Sequence, residues 1–333
     1  MQQPHLEGKK ILVTGGAGFI GSHLVESLLR LHNHVVVLDN FNNFYDPAVK
    51  RRNLSSCTEQ ENFSLVEGDV LDTRCLDTLF SKHSFDIVVH LAAMAGVRPS
   101  TNQPALYMEV NVVGTQNLID AMIKYCPQAR LIFGSSSSVY GQRRGESFKE
   151  SDRVDSPLSP YAASKAAAEL VCHAAQYCSD LQSICLRFFT AYGPRQRPDL
   201  AIHKFCRLID SGQPIEMYGD GASSRDYSFV SDIVDGIIAA CSVELPGYEI
   251  INLGGSHPVA LKDMITALES ALNKKANIIE RPTQTGDMPY TYANIELAQE
   301  LLDYKPKVDF QTGIKQFVEW YQQERKHSAG AVV

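Results

Sequence analysis

The sequence lacks the cysteine patterns that mark metal sites and disulfide frameworks. Its eight cysteines are scattered between Cys57 and Cys241, with no Cys-x-x-Cys pair and no Cys/His set at zinc spacing. Several lie in apolar runs, as Cys185 does, where cysteine behaves as a small hydrophobic residue. We therefore expect reduced, buried cysteines, no metal site, and a cytoplasmic location rather than an oxidising compartment.

Long apolar runs and an excess of positive charge are also missing. No stretch approaches the roughly 20 residues that a membrane-spanning helix needs, and the polar residues 1–10 predict no signal peptide. The net charge of -7 disfavours a nucleic acid or an anionic membrane as partner, because both are themselves negative. The 333 residues, 44% of them hydrophobic, suffice for one large globular domain or for two that share an interface.

Short apolar runs alternate with helical apolar spacing over the first half of the chain. The runs predict buried strands at residues 10–14, 34–39, 63–67, 86–91, 130–135 and 183–188. The segments between them predict helices at residues 18–31, 72–83, 105–125 and 160–179. Strands that alternate with helices indicate an α/β fold with a Rossmann-type, doubly wound parallel sheet.

Glycine and proline interrupt this pattern after residue 190, where helices are predicted at residues 231–240, 261–272 and 295–302. We predict a Rossmann domain over residues 1–189, to which residues 223–254 return. Residues 190–222 and 255–326 then form a smaller mixed α/β lobe that binds the substrate. The last residues, 327–333, are expected to form a flexible tail.

A glycine-rich loop follows the first predicted strand. It reads Gly15-Gly16-Ala17-Gly18-Phe19-Ile20-Gly21 and leads into a helix, as in loops that bind a pyrophosphate at a helix N-terminus. Asp39 ends the second strand, where a carboxylate accepts hydrogen bonds from ribose hydroxyls and repels a 2′-phosphate. This context predicts NAD rather than NADP; the alternative is a glycine-rich turn beside an ordinary strand-ending aspartate. Asp69, after the third strand, either binds the adenine edge or caps a turn.

Tyr161 and Lys165 stand four positions apart in a predicted helix and therefore share one face. A free tyrosine has a pKa near ~10, and a neighbouring ammonium together with oxidised nicotinamide would lower it. Tyr161 could then remove a proton from a sugar hydroxyl while hydride leaves the same carbon for NAD. Ser136 lies at the carboxyl end of the fifth strand, where parallel sheets bind ligands, and its hydroxyl could share a hydrogen bond with the reacting oxygen.

Together these motifs resemble the extended short-chain dehydrogenase/reductase family, in particular its NAD-dependent epimerase/dehydratase branch. The resemblance covers nearly the whole chain and also includes His90-Leu91-Ala92-Ala93, Leu186-Arg187-Phe188-Phe189, Gly219-Asp220-Gly221 and Ser224-Arg225-Asp226-Tyr227. It implies that Tyr161, Lys165 and Ser136 are catalytic. It further implies that NAD contacts Gly15, Gly18, Phe19, Ile20, Gly21, Asp39, Asn40, Asp69, Val70, Leu91, Ala92, Ala93, Tyr161 and Lys165.

The resemblance also implies contacts beyond the cofactor. Arg225 would contact a substrate phosphate and Asp287 would lie near the nucleotide ribose, although each could instead be a surface salt-bridge partner. Members of the family commonly dimerise through the helices that correspond to residues 105–125 and 160–179. Both segments are apolar on more than one face, so we expect a homodimer.

The residues after the catalytic hydroxyl help to distinguish reactions within this branch. Sugar-nucleotide 4,6-dehydratases resemble one another in an Asp-Glu or Ser-Glu pair there, and UDP-glucuronate decarboxylases carry a glutamate. This chain has Ser137 and Ser138, so water elimination would lack its proton donor. Epimerisation at C4 needs no such acid, because C4 is oxidised, the ketone rotates and hydride returns to the other face. We therefore expect an NAD-dependent 4-epimerase of a UDP-sugar.

Three loop segments, residues 42–47, 94–100 and 190–199, resemble those of UDP-glucuronate 4-epimerases. The C6 carboxylate of that substrate would bind to a cluster of neutral hydroxyls from Ser136, Ser137, Ser138 and Thr190. Either Arg98 or Arg197 would add a positive charge. Such a site would oppose loss of CO2 from the β-keto acid formed at C4. The alternative is that the serines bind cofactor and main chain while Arg197 binds the diphosphate.

Other functions are weighed against this expectation. The second choice is a UDP-glucose/UDP-galactose or N-acetylhexosamine 4-epimerase, although the UDP-galactose enzymes typically carry asparagine where Thr190 stands. A UDP-glucuronate decarboxylase is disfavoured by the missing glutamate. A non-catalytic NAD-binding protein on the same fold is disfavoured by the presence of both Tyr161 and Lys165.

Overall fold

The computed structural model describes residues 6–142, 147–282 and 290–330. Its strands are β1 Lys10–Thr14, β2 His34–Asp39, β3 Phe63–Glu67, β4 Ile87–His90, β5 Arg130–Ser136, β6 Ser183–Phe188, β7 Thr190–Tyr192, β8 Pro214–Tyr218, β9 Ser224–Phe229, β10 Tyr248–Leu253, β11 Pro258–Ala260 and β12 Asn277–Arg281. Its α-helices are α1 Phe19–Arg30, α2 Pro47–Asn53, α3 Thr73–Lys82, α4 Val97–Ser100, α5 Pro104–Met108, α6 Gly114–Tyr125, α7 Pro160–Ser179, α8 Ala201–Asp210, α9 Val230–Ser242, α10 Leu261–Leu272, α11 Glu296–Leu302 and α12 Phe310–Gly330.

Seven parallel strands form the central sheet, in the order β10-β6-β5-β4-β1-β2-β3. The strand order reverses direction at β1, which makes the sheet doubly wound and opens a crevice at the carboxyl ends of β1 and β4. The predicted fold class is confirmed, and the six predicted strands agree with the structure to within one residue at each end. The seventh strand, β10, was not singled out as a strand from the sequence.

Both faces of the sheet are buried, which explains why its strands are apolar on successive residues. In β1, Ile11 and Val13 join one hydrophobic cluster with helices α1 and α9, whereas Leu12 joins a second cluster with α3, α6 and α7. Each fully buried aliphatic side chain of this kind contributes roughly 1.5–3 kcal/mol. Helices on both faces therefore fix the sheet and, with it, the positions of its carboxyl ends.

The second half of the chain adds smaller sheets and a third hydrophobic cluster. Strands β7, β9 and β11 form one sheet, and β8 pairs with β12. The cluster packs α8, α10 and α12 together through residues such as Phe205, Leu268 and Phe317. The division into domains at residues 189, 222 and 254 stays a prediction. The helix α12 continues to Gly330, and residues 331–333 lie outside the described part of the chain.

Two expectations need correction. The segment 105–125 is not one regular helix, because a π-helical turn at Glu109–Val113 separates α5 from α6. The cysteines are unpaired but not all buried: Cys178 of α7 is exposed, and Cys75 of α3 is half-buried at the margin of the second hydrophobic cluster. Over the described ranges, no helix combines the length and apolar character needed to cross a membrane.

Candidate active site

A cleft of about 930 Å³ lies at the carboxyl ends of the central strands. Its lining includes the predicted site residues Gly15, Gly18, Phe19, Ile20, Gly21, Asp39, Asn40, Asp69, Val70, Leu91, Ala92, Ala93, Arg98, Ser136, Ser137, Ser138, Tyr161, Lys165, Thr190, Arg197 and Arg225. The remaining predicted residue, Asp287, lies outside the described residues. The structure thus brings the predicted set together in one place, and the role of each residue stays a prediction.

The glycine loop has a backbone that side chains would not tolerate. Gly15 has a φ of +70°, and a Cβ there would stand 2.7 Å from the backbone nitrogen of Ala92. A Cβ on Gly21 would stand 2.3 Å from the carbonyl oxygen of Gly15. Both positions therefore require glycine, and the helix α1 begins directly behind the loop. The loop and helix fit a dinucleotide pyrophosphate, whose charge the N-terminus of α1 would stabilise.

Asp39 fixes the glycine loop in addition to facing the cleft. Its carboxylate accepts hydrogen bonds from the backbone nitrogens of Ala17 at 3.1 Å and Phe41 at 2.9 Å. Burial raises the pKa of Asp39, while these two bonds and the charge of Lys50 lower it. Each carboxylate oxygen can accept a further bond, so contact with a ribose remains open to it.

Asp69 is held by the loops on either side of it. It accepts a hydrogen bond from Asn40 Nδ2 at 2.7 Å and one from the backbone nitrogen of Leu71 at 2.9 Å. The second bond is the turn-capping contact that the sequence left open for Asp69. Because the side chain also lines the cleft, a contact with adenine is compatible with the cap.

A buried histidine supports the floor of the cleft. Thr115 donates its hydroxyl to the carbonyl oxygen of Asn111, so it accepts from Nε2 of His90 at 3.0 Å. The other ring nitrogen, Nδ1, therefore accepts from the hydroxyl of Thr14 at 2.6 Å. Burial and, to a smaller extent, the charge of Lys165 lower the pKa of His90 to about 3. A neutral imidazole thus ties β1, β4 and α6 together beneath the cofactor loop.

Tyr161 and Ser136 form the reactive end of the site. Ser136 Oγ accepts hydrogen bonds from the backbone nitrogen of Ser138 at 3.2 Å and from its hydroxyl at 2.9 Å. The proton of Ser136 is therefore free to point at the Tyr161 oxygen, and this hydroxyl lowers the pKa of Tyr161. Tyr161 lies on the first turn of α7, which Ser159 caps by accepting from the backbone nitrogen of Ala162.

The surroundings of Tyr161 within the protein favour the phenol over the phenolate. Burial raises the pKa of Tyr161, and the bond from Ser136 and the charge of Arg197 only partly oppose that rise. Lys165 instead donates from Nζ to the carbonyl oxygen of Gly134 at 2.7 Å. Burial lowers the pKa of Lys165 to about 8. The phenol is therefore protonated at neutral pH until further positive charge enters the cleft.

Two arginines, Arg197 and Arg225, line the cleft. Arg197 forms a bidentate ion pair with Asp199, at 3.0 and 2.8 Å, and lies 5.1 Å from the centre of the Phe44 ring. Arg225 donates to the carbonyl oxygen of Ser224 and keeps its side chain in the cleft lining. Thr190 is held by the pairing of β7 with β9. Positive charge and neutral hydroxyls thus line the same cleft as the glycine loop.

Some residues around the site were missed from the sequence. Asn111, in the π-helical turn, accepts from the backbone nitrogen of Met94 at 2.8 Å and donates to Ser164 at 2.9 Å. No sequence signal marks such a turn. Asp199 could have been noticed, because an acid two positions from Arg197 is well placed to pair with it. Glu169 could also have been noticed, since it follows Lys165 by one helical turn.

The comparison with known families decides the relationship of the chain. The family model described as GDP-mannose 4,6 dehydratase matches residues 12–317. The chain belongs to this family. The resemblance to the epimerase/dehydratase branch of the extended short-chain dehydrogenases/reductases is therefore confirmed.

Several individual relatives within the family are 4-epimerases of UDP-sugars. A UDP-glucuronate 4-epimerase of Arabidopsis thaliana is 40% identical over an alignment of 331 positions that covers 94% of this chain and 75% of the relative. A crystal structure of a Bacillus cereus UDP-glucuronic acid 4-epimerase, in complex with UDP-glucuronic acid and NAD, is 35% identical with a TM-score of 0.87. The match covers 95% of this chain and 99% of that one. A UDP-glucose 4-epimerase of Thermotoga maritima with UDP-glucose is 29% identical, with a TM-score of 0.86 over 95% of this chain and 99% of its own.

Proposed function

We propose that this family member is an NAD-dependent UDP-sugar 4-epimerase that interconverts UDP-glucuronate and UDP-galacturonate. The observation that carries the proposal is the hydroxyl cluster beside Tyr161, in which Ser137 and Ser138 stand where a dehydratase or decarboxylase of the branch would place an acid. Relatives named for UDP-glucuronate 4-epimerisation support the same assignment.

Tyr161 acts as the base and later as the acid at the sugar O4 in this proposal. NAD, when bound, would accept a hydride from C4 and return it to the opposite face of the rotated ketone. The Lys165 ammonium and the positive charge of the bound nicotinamide would favour the phenolate of Tyr161. The hydroxyl of Ser136 would donate a hydrogen bond to the oxygen that carries the developing charge. After the ketone has rotated and hydride has returned to C4, Tyr161 returns the proton to O4.

The sugar-binding end of the cleft would prevent decarboxylation. Ser137, Ser138 and Thr190 offer hydroxyls to the C6 carboxylate and supply no acid for loss of CO2. Arg197, already oriented by Asp199, adds a planar cation that matches a carboxylate or a phosphate. Arg225 is the proposed phosphate contact.

Incubation of the protein with NAD and UDP-glucuronate, followed by NMR of the products, tests the assignment. UDP-galacturonate should accumulate to an equilibrium mixture from either direction, with no UDP-pentose. Turnover of UDP-glucose but not of UDP-glucuronate would replace the proposal by its second candidate, which the Thermotoga maritima relative supports. A UDP-pentose as the main product would mean decarboxylation, and no turnover of any UDP-hexose while NAD stays bound would mean a binding protein.

We also propose that the protein acts as a homodimer. Large apolar side chains are exposed along the π-helical turn and α7: Val113 at 50%, Leu170 at 70% and Tyr177 at 84%. Such side chains on neighbouring helices are suited to a symmetric helical interface. Sedimentation of the protein at micromolar concentration should give twice the chain mass, and Leu170→Glu should shift it toward monomer. A monomeric wild-type protein would overturn the proposal.

The proposed location is the cytoplasm. All eight cysteines are unpaired, and six of them are buried. Free buried thiols are typical of reducing compartments. Fractionation of cells that express the tagged protein would test this, and recovery in an exported fraction would contradict it.

A further inference from the structure

A buried ion pair lies behind the wall of the cleft. Arg187 of β6 donates from Nε to Glu169 Oε1 at 2.9 Å and from Nη2 to Oε2 at 2.7 Å. Ser135 of β5 donates its hydroxyl to Glu169 Oε1 at 2.5 Å. The three side chains are at most 3% exposed. Removal from water costs such a pair about as much as the attraction returns, so stability alone is a weak explanation for it.

The pair joins the same two elements as the proposed catalytic residues. Gly134 of β5 accepts from Lys165, Ser135 donates to Glu169, and the hydroxyl of Ser136 acts on Tyr161 by lowering its pKa. The three residues of α7 are four positions apart and lie on successive turns of one helix face. The Ser135–Glu169 bond therefore ties α7 to β5 one turn beyond Lys165 and two turns beyond Tyr161.

Glu169 also supplies the balancing charge for a buried ammonium. Burial disfavours the cationic form of Lys165, and a carboxylate one helical turn away favours it. The other groups that act on Lys165 are thiols on α7 and β6 and a neutral imidazole on β4: Cys172, Cys185 and His90. The guanidinium of Arg187 stands on the far side of Glu169, so loss of the carboxylate would leave a second buried cation near Lys165.

We infer that Glu169 is a positioning residue for the epimerase site: through Ser135 and Arg187 it holds α7, and with it Lys165 and Tyr161, against β5 and β6, and its carboxylate balances the charge of the Lys165 ammonium. This inference rests on the proposed function, because the roles of Tyr161 and Lys165 belong to that function. Glu169 itself is not among the residues that line the cleft; it acts through Ser135 and Lys165, which are.

The test compares the pH dependence of kcat/KM in variants that change the charge of Glu169, its length, or its partner Ser135. Glu169→Gln keeps the size but removes the charge. The alkaline limb of its kcat/KM profile should move to lower pH by on the order of one unit, with KM little changed. Glu169→Asp keeps the charge and should retain the wild-type limb while kcat falls. Ser135→Ala removes one bond and should likewise lower kcat without moving the limb.

Asp232 provides the matched control. It is a carboxylate of α9 with the same 2% exposure as Glu169, and it accepts from the backbone nitrogens of Lys307 and Val308. Asp232→Asn should lower thermal stability and leave both pH limbs in place. A limb that stays fixed in Glu169→Gln, or that moves equally in Asp232→Asn, overturns the inference. If Glu169→Gln does not fold, wild-type kcat in both Glu169→Asp and Ser135→Ala overturns it.

A measurement without turnover separates this inference from the proposed function. The Lys165 ammonium can be followed by NMR of protein with labelled lysine, with its signal assigned by its loss in Lys165→Met. Its titration should occur at lower pH in Glu169→Gln than in the wild type, whether or not UDP-glucuronate is the substrate. An unchanged titration overturns the inference, whereas a wild-type protein that turns over no UDP-sugar overturns the proposed function alone.

Discussion

The two ends of the cleft are built in different ways. The end that fits the dinucleotide consists of backbone and small side chains at the termini of regular strands, and a Cβ added at Gly15 or Gly21 would come within 3 Å of other backbone atoms. The end that faces the sugar consists of long polar side chains on loops and on short strands from the second half of the chain, such as Arg197 and Arg225.

The dinucleotide end is therefore rigid, whereas the side chains at the other end can be exchanged. A backbone cradle supported by two buried clusters changes little with side-chain substitution, so it suits a cofactor that stays the same throughout a family. Side chains on loops can be exchanged without loss of the sheet, so they suit a substrate that differs between members. Tyr161 lies where the two ends meet.

The largest effect is expected at that junction. Tyr161→Phe should lower kcat by about a thousandfold, because general acid–base catalysis at O4 is lost, while NAD still binds. Kinetics and cofactor content should be measured on the same preparation. Tyr107→Phe is the control, since the Tyr107 ring packs on Tyr161 at 6.2 Å and its hydroxyl only donates to the carbonyl oxygen of Ala95. Full activity of Tyr161→Phe would remove the base from the proposed mechanism.

The second largest effect is expected on NAD binding at the dinucleotide end of the cleft. Gly15→Ala should weaken NAD binding by roughly a hundredfold, because the added Cβ strains the backbone and collides with Ala92. Calorimetric titration with NAD measures this. Gly212→Ala is the matched control, because Gly212 also has a positive φ of +67° but has open space around its Cβ position. Equal NAD affinity in both variants would show that the close packing of the loop is unimportant.

The sugar end should respond differently to different substrates. Arg197→Leu should raise KM for UDP-glucuronate about ten- to a hundredfold, because a charge-assisted hydrogen bond contributes roughly 1.5–3 kcal/mol. If Arg197 contacts the carboxylate, the KM for UDP-glucose should change far less; an equal rise would place Arg197 on the diphosphate. Arg207→Leu, at an exposed position of α8, controls for the loss of a surface arginine.

The smallest effect is a dependence of stability on pH. Asp226, next to Arg225, accepts hydrogen bonds from the backbone nitrogens of Gly255, Ser256 and Ala293. Burial nevertheless raises the pKa of Asp226 from 3.8 to about 6. An acid whose folded pKa is raised favours the folded state most at low pH, and this contribution is lost as pH rises from about 4 to 6. The Tm of the wild type relative to Asp226→Asn should therefore fall by about 2–4 °C over that range. A rising difference would contradict the raised pKa.

The same contrast explains what could be predicted from the sequence. Six of the seven central strands were located to within a residue because burial on both faces leaves continuous runs such as Ile11–Val13, and the glycine loop was recognised because its backbone admits few alternatives. The sequence also placed Tyr161 and Lys165 correctly on one helix. Helical periodicity and local strand patterns are short-range signals, and all of these features depend on them.

Other features depend on contacts between distant segments. The pairing of β10 with β6 joins residues that are about 65 positions apart, and the Arg187–Glu169 pair becomes visible only when β6 lies against α7. The burial that raises the pKa of Tyr161 belongs to the same class of feature. Burial depends on the whole fold, and a spacing of four residues cannot reveal it.

The π-helical turn at Glu109–Val113 limits how far this protein can be made more regular. One extra residue in that turn places Asn111 between Met94 and Ser164, and so links the loop after β4 to the helix that carries Tyr161. Deletion of one residue there would convert the segment into ordinary α-helix and rotate Asn111 away from both partners. Redesign toward ideal helical geometry would therefore make the helix more regular but would lower the activity of the enzyme.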